Sequence, residues 1–376
     1  MHTLAVILSF AVTTLAAKTC NVLDYGAQAN NSTDLGPALT QAYTNCVKGS
    51  TTSSPADTVI LVPSGNFLLA SGVEFSSASD FTLTISGNIY LPFDPNLAGN
   101  MLFWEHCNNV VVNGNGAIYG NGYRYREGGN LSLYPNRPRL IRFENSNNIE
   151  ITGVTLYDAP MFHVTIIGNN NVAHNMAIIA SHIGETDGFD VSGDNNYVHD
   201  VSVENGDECV TVKTPTNGFV GENIQCINGA GCNVGSFGDG TTGVSIQNVT
   251  YTTVSLSYSD AGVMIKSYPN CQGTIENLSY NDFTLNEVAY PIDIDMYWCG
   301  GSSNCPSQGS GSQTVNNIQF NNFQGSGTST RPGVKLNCLS NTPCRDIAFN
   351  NVQISGAKAA TVSNACGSGL SGLNGC

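Results

Sequence analysis

One junction recurs down this chain: a turn residue, usually Asn or Gly, running into an apolar residue. It falls at Ile149 (NIEI), Val172 (NVAH), Tyr197 (NYVHDV), Phe219 (GFVGENI), Val244 (GVSIQNV), Ile275 (TIENLSY), Ile318 (NIQF) and Ile347 (DIAF), at intervals of 23, 25, 22, 25, 31, 43 and 29 residues. A unit of this length cannot bury its apolar side alone, so successive units must stack. Strand-like runs such as TVILV and FTLTI separated by turn residues make each unit a coil of short strands. The drift to longer intervals reads as loops inserted into the later coils. A β-sandwich would give shorter intervals and no such recurrence. The expected fold is all-β: a right-handed parallel β-helix, formed as a single domain over residues 18–376.

The composition agrees. The 41 glycines and the Asn-dense runs NSNN, GNNN and GDNN supply residues that tolerate left-handed backbone at repeated tight turns. The segment NSTDLGPALTQAYTNCV predicts a short helix, with Asp34 or Thr33 at its start and Leu35, Leu39, Ala42 and Tyr43 on one stripe. A lone helix ahead of a β-solenoid serves as a cap over the first strand edge. Residues 1–17, an apolar run ending in small residues, read as a secretory signal, and no later run is long and apolar enough for a membrane span.

Thirteen cysteines in a secreted chain point to disulfides with at least one thiol left over. Connectivity stays open, with short-range candidates Cys20–Cys46, Cys209–Cys226, Cys299–Cys305, Cys338–Cys344 and Cys366–Cys376. Sequons at Asn30, Asn31, Asn130, Asn248 and Asn277 are glycosylation candidates. A net charge of -15 argues against nucleic acid as a partner. No CxxC or HxxxH spacing suggests a metal, and no cofactor is expected.

The stretch ETDGFDVSGDNNYVHDVSVENGDECVTVK, residues 185–213, holds two acidic clusters, Asp187 with Asp190 and Asp207 with Glu208. Asp187 and Asp207 are 20 residues apart, close to one coil, so they are expected to be rungs of one ladder. Set in register, DAPMFHV, TDGFDVS, DECVTVK, AGCNVGS, GVMIKSY, PIDIDMYW and RPGVKLN form one column. Lys213, Lys266, Asp293, Asp295, Tyr297 and Trp298 fall on this groove. Carboxylates crowded this way cannot all ionise, which supplies a proton donor beside a base, the equipment of glycoside hydrolysis. Diagonal rungs could provide the gap of about 6.5–9.5 Å that an inverting pair needs for water. An acidic turn or a calcium site is the alternative.

At these residues the chain resembles glycoside hydrolase family 28, the pectin-hydrolysing polygalacturonases and rhamnogalacturonases, whose fold is the pectin-lyase-like solenoid. The family's Asn-Thr-Asp matches Glu185-Thr186-Asp187, continuing to Asp190, and its Asp-Asp-Cys matches Asp207-Glu208-Cys209. The resemblance implies Asp207 as general acid, Asp187 and Glu208 as water-activating bases, and inversion. Where polygalacturonases carry Gly-His-Gly and Arg-Ile-Lys, this chain has Gly229-Ala230-Gly231 and Met264-Ile265-Lys266. Loss of the His and Arg suits a deoxy sugar, so the likeness is to the rhamnogalacturonase branch, endo-hydrolases of the galacturonic acid to rhamnose α-1,2 bond in a pectic polysaccharide. Homogalacturonan or xylogalacturonan hydrolysis, a calcium-assisted lyase and a non-catalytic binding β-helix are the competing readings.

Arg124, Arg126, Arg137, Arg139 and Arg142 concentrate five of the 13 basic residues in YRYREGGNLSLYPNRPRLIRF. They either hold substrate carboxylates, with Arg137 and Arg139 the contacts, or pair with the protein's own acids. Lys213, Met264, Lys266, Asp190, Asp295 and Tyr297 complete the expected substrate contacts. The enzyme is expected to be an extracellular monomer.

Overall fold

A computed structural model describes residues 17–48, 54–302, 304–309 and 311–376. Most of the proposed signal segment lies outside these residues. Every strand pairing among the described residues is parallel, and each strand pairs with its counterpart one coil away. The result is the expected right-handed parallel β-helix. The rung Glu150, Val172, Tyr197, Val220, Thr250, Ser279, Gln319, Ala348 runs through the repeat found in the sequence. Val172, Tyr197, Ile318 and Ile347 are placed as expected, the last two sharing a rung. Val244 and Ile275 are not equivalent to Phe219, which pairs with Val249 instead. The junction marks where a strand leaves a turn, and the inserted loops move that point relative to the register.

The interior is built from ladders of like side chains. Phe75, Trp104 and Phe143 stack at centroid spacings of 4.7 Å, and Tyr251, Tyr280, Phe320 and Phe349 continue the pattern at 5.0–5.5 Å. Offset stacking at the strand repeat buries each ring against the next coil. At the corners, Asn takes over: Asn248, Asn277 and Asn317 all have left-handed φ, and each donates its side-chain amide to the Asn of the preceding coil. This explains the Asn-rich runs. It also engages the amide nitrogens of Asn248 and Asn277, two of the candidate glycan acceptors, whereas Asn31 and Asn130 are exposed.

The helix α1, Gly36–Cys46, caps the first coil as expected, burying Leu35, Leu39, Ala42 and Tyr43. Its start differs in detail: Leu35 is the capping residue, while the Asp34 carboxylate accepts the Gly36 N–H at 3.0 Å. All five short-range disulfides form. Cys20–Cys46 ties α1 to the first described strand. Cys107, Cys232 and Cys271 are free and buried. Among the described residues no helix is long and apolar enough to cross a membrane.

Candidate active site

The seven segments aligned in the sequence do form one face. Its strands are β1 (Val164–Ile167), β2 (Phe189–Asp194), β3 (Val210–Ile227), β4 (Cys232–Phe237), β5 (Ala261–Ser267), β6 (Tyr290–Asp295) and β7 (Val334–Asn337), paired in that order. Along each strand one side fills the core and the other faces outward. One outward row reads Thr165, Asp190, Thr211, Asn233, Met264, Asp293, Lys335.

The expected pairing of Asp187 with Asp207 as rungs of one ladder is off by one residue. Phe189 pairs with Val210, and Gly188 N–H donates to the Glu208 carbonyl, so Asp187 is the neighbour of Glu208, while Asp207 stands in the turn just before. The buried Asn205 amide sets this geometry by donating to both the Thr186 and Glu208 carbonyls at 2.9 Å. Gly206 permits the close approach of the two turns, because a Cβ there would lie 2.1 Å from Ile183 N. The Cys209–Cys226 disulfide anchors the strand directly after Glu208.

Asp187, Asp207 and Glu208 offer carboxylate oxygens that all lie within 4.8 Å of one another. This is tighter than the gap of about 6.5–9.5 Å expected for water between an inverting pair. Burial raises Asp187 well above the usual carboxylate range, reinforced by Asp190, Glu208 and Asp207. Burial likewise raises Asp207, with the Glu208 charge adding to it. Burial pushes Glu208 upward too, but Lys266, then Asp207 as a hydrogen-bond donor and Lys213, hold it well below its ordinary value. The trio therefore divides its protons, with Glu208 the ionised member.

Lys266, expected as a substrate contact, is buried and bonds the Glu208 carboxylate, with its ammonium 5.1 Å from the Trp298 ring centroid. Lys213 lies 3.3 Å from Asp190 and donates to Gly235 O at 2.7 Å. Three clustered acids could hold a cation, but these two ammonium groups already supply the counter-charge. Met264 is partly exposed beside Asn233, whose side-chain oxygen takes its N–H at 2.7 Å.

The arginines of the basic patch divide. Arg126 pairs with Asp158 at 2.9 Å, Arg142 with Glu144 at 2.8 Å, and Arg137 with Glu185. The Arg137 side chain is fully buried, so it is not the substrate contact expected of it; the alternative, pairing with the protein's own acids, holds. Arg139 has no ion pair among the described residues and lies 5.4 Å from the Phe162 ring centroid, on the row leading toward Asp187.

Sequence reasoning missed three participants. His163 is buried, accepts Ala159 N–H at Nε2 and meets the Asp187 carbonyl at Nδ1; burial lowers its pKa to about 4, so the ring is neutral and Nδ1 donates. Its place directly before β1 was the available signal. Lys335 bonds Asp295 at 2.5 Å and Asp293 at 3.3 Å, so Asp295, expected to meet substrate, is engaged with Lys335, Asn337 and Tyr297 N–H. Tyr297 is half-buried, its hydroxyl on Gln308. Glu185, third of the three, donates its N–H to Asp207 at 2.7 Å.

A parallel β-helix with a proton-dividing carboxylate trio on one outward face defines a class, the carbohydrate-cleaving β-solenoids. The family model of glycosyl hydrolases family 28 matches residues 52–371, and the chain belongs to that family. It is therefore a glycoside hydrolase, in the rhamnogalacturonase branch. It is 35% identical over 353 residues to rhamnogalacturonase A of Aspergillus aculeatus, a match covering 92% of this chain and 75% of that protein. It is 34% identical over 345 residues to putative rhamnogalacturonase D of Aspergillus niger, covering 90% and 73%. Probable rhamnogalacturonase B of Aspergillus oryzae is 36% identical over 351 residues, 92% of this chain but 62% of that one. Among solved structures, endo-xylogalacturonan hydrolase from Aspergillus tubingensis superposes with a TM-score of 0.79 at 23% identity, covering 95% of this chain and 100% of that one. At that identity the likeness speaks for the fold alone.

Proposed function

We propose that this chain is a secreted, monomeric endo-hydrolase of the α-1,2 bond between galacturonic acid and rhamnose in the rhamnogalacturonan I backbone of pectin, acting with inversion. The observation that carries the reading is the trio in which the Lys266 ammonium pairs with Glu208 and holds it low, while burial and the Glu208 charge push the adjacent Asp207 upward. Asp207 gives its proton to the glycosidic oxygen as the C1–O bond breaks. Glu208, with Asp187 beside it, takes a proton from the water that adds to C1. A separation under 5 Å resembles that of retaining enzymes. Inversion is therefore proposed on the family likeness and not on this separation, and the anomer first released decides between the two outcomes. The Asp187 Oδ1 oxygen, buried with no hydrogen-bond partner among the described residues, is the proposed seat for the water.

Specificity is read from Ala230 and Met264, which offer apolar contact where a deoxy sugar would sit, and from the unpaired Arg139, which suits a galacturonate carboxylate. The five disulfides fit an oxidising, extracellular setting. The test is to incubate the protein separately with rhamnogalacturonan and homogalacturonan, following reducing ends, viscosity, unsaturated product and, by NMR, the anomer first released. Reducing ends from rhamnogalacturonan alone, with an early viscosity drop and an inverted anomer, are expected. Cleavage of homogalacturonan instead, or unsaturated product, would refute the assignment.

A further inference from the structure

The loop 122–138 leads into the strand Arg139–Glu144 next to β1 and is held by two buried guanidinium groups. Arg126 donates to Ala159 O at 2.9 Å, Pro160 O at 2.6 Å and Asp158 Oδ1 at 2.9 Å. Arg137 donates to Leu131 O at 2.8 Å, to Tyr134 O at 2.9 Å and to the Glu185 carboxylate. Each guanidinium thus ties the loop to a turn of the catalytic face: Arg126 to the turn before β1, Arg137 to the turn before β2.

The second tie reaches the chemistry through the backbone. Glu185 has φ 57°, a left-handed conformation that a residue with a long side chain keeps only where its surroundings hold it. In that conformation its N–H donates to Asp207 Oδ2 at 2.7 Å, while Glu208 N–H donates to Asp207 Oδ1 at 3.0 Å. The preceding Gly184, half-buried, sits between the loop and the acid: a Cβ there would make ordinary contacts, 3.4 Å from Leu131 of the loop and 3.6 Å from Asp207 Oδ2. The Glu185 side chain is 39% exposed, so its tie to Arg137 is not a burial requirement of its own.

We propose that Glu185, clamped by Arg137, is the positioning residue that aims the Asp207 carboxyl, an inference that rests on reading Asp207 as the acid. Arg137 holds the Glu185 side chain, the side chain holds the left-handed backbone, and the backbone N–H holds Oδ2. With both oxygens fixed by backbone donors, the carboxyl cannot rotate, and its proton is presented in one direction. Asp207 also faces Glu208, Asp187 and Lys266, and these groups stay in place in every variant below.

The test compares Glu185→Gln, Arg137→Lys and Arg137→Ala on rhamnogalacturonan, with Asp207→Asn as reference and thermal unfolding as the folding control. Loosening the clamp removes an N–H bond that favours the charged form of Asp207, so the alkaline limb of the kcat/KM profile should move up by ~0.5 pH unit. In Glu185→Gln, kcat should fall roughly 5- to 10-fold with KM within about twofold, the signature of lost transition-state alignment. Arg137→Lys, which keeps the charge but not the fork, should recover part of what Arg137→Ala loses. Should Arg137→Ala not fold, Glu185→Gln carries the test, since its side chain is partly exposed. Folded Glu185→Gln and Arg137→Lys with wild-type kcat and an unmoved alkaline limb would overturn the clamp while an inactive Asp207→Asn left the acid standing. A change confined to KM would make the pair a substrate contact and overturn the proposal. An active Asp207→Asn would remove the acid and the clamp together.

Discussion

Two carboxylate clusters sit on the same face and behave differently. Asp187, Asp207 and Glu208 come from adjacent coils, whereas Asp293 and Asp295 share the strand β6 two residues apart. Adjacent coils stack at about 4.8 Å, so acids at neighbouring positions crowd each other, and protons must be divided. Two acids spaced along one strand leave room for Lys335 to reach both, and Asp295 is further satisfied by Asn337 and by Tyr297 N–H. Lys266 in the first cluster bonds a single carboxylate, and burial with the remaining negative charge pushes its neighbours Asp187 and Asp207 well above the usual carboxylate range. Crowding across coils thus divides charge unequally among three acids, whereas on β6 Asp295 is fully engaged and Asp293 keeps a buried Oδ1 with no hydrogen-bond partner among the described residues.

The contrast breaks most sharply at Asp207. Asparagine there keeps the shape but only one of the two backbone N–H contacts, since its amide nitrogen cannot accept, and it removes the proton; turnover should fall by about 10²–10⁴-fold in a protein that still unfolds cooperatively. Full activity in a folded Asp207→Asn would place the reaction elsewhere.

Lys266→Met tests whether one ammonium is what makes the first cluster asymmetric. Without it the Glu208 pKa rises, so the acidic limb of the kcat/KM profile, which reports ionisation of the base, should move to higher pH. Turnover at mildly acidic pH should drop roughly 10- to 100-fold. An unmoved limb would mean that Lys266 is dispensable and that the Asp207 hydrogen bond and Lys213 hold the charge on Glu208.

The smallest effect is expected in the second cluster and is one of stability. Burial, only partly offset by Lys335, raises Asp293 from 3.8 to about 7. A raised carboxyl pKa means that the native state holds a proton the unfolded chain has released. The contribution is therefore fully present below about pH 4 and is lost as pH rises toward 7, by up to a few kcal/mol, on the order of 1.4 per pKa unit. Asp293→Asn should flatten this part of the stability–pH curve while leaving the catalytic pH limbs in place. An unchanged curve would show that Asp293 is already ionised at pH 5.

Much of this was readable before any coordinates. A coil is a local pattern repeated, so stacking follows from the period, and the strand column through TDGFDVS, DECVTVK and PIDIDMYW follows from matching short segments. The five short-range disulfides and the stripe of α1 were legible for the same reason, since each lies within a short stretch of chain.

What the sequence alone determined, then, is the solenoid, its cap and which face carries the acids, because these depend on periodicity and on residues close in the chain. The tertiary structure decided the rest. It set Glu208 rather than Asp207 beside Asp187, since the register hangs on how two turns close around Asn205 and Gly206. It turned Arg137 inward and left Arg139 without an ion pair among the described residues, since the loop 122–138 folds onto Glu185, 48 residues away from Arg137. It brought Lys335 to Asp293 across 42 residues of inserted loop and coil. Such pairings are chosen by packing between coils, where a one-residue shift or a loop insertion changes the partner without changing the period.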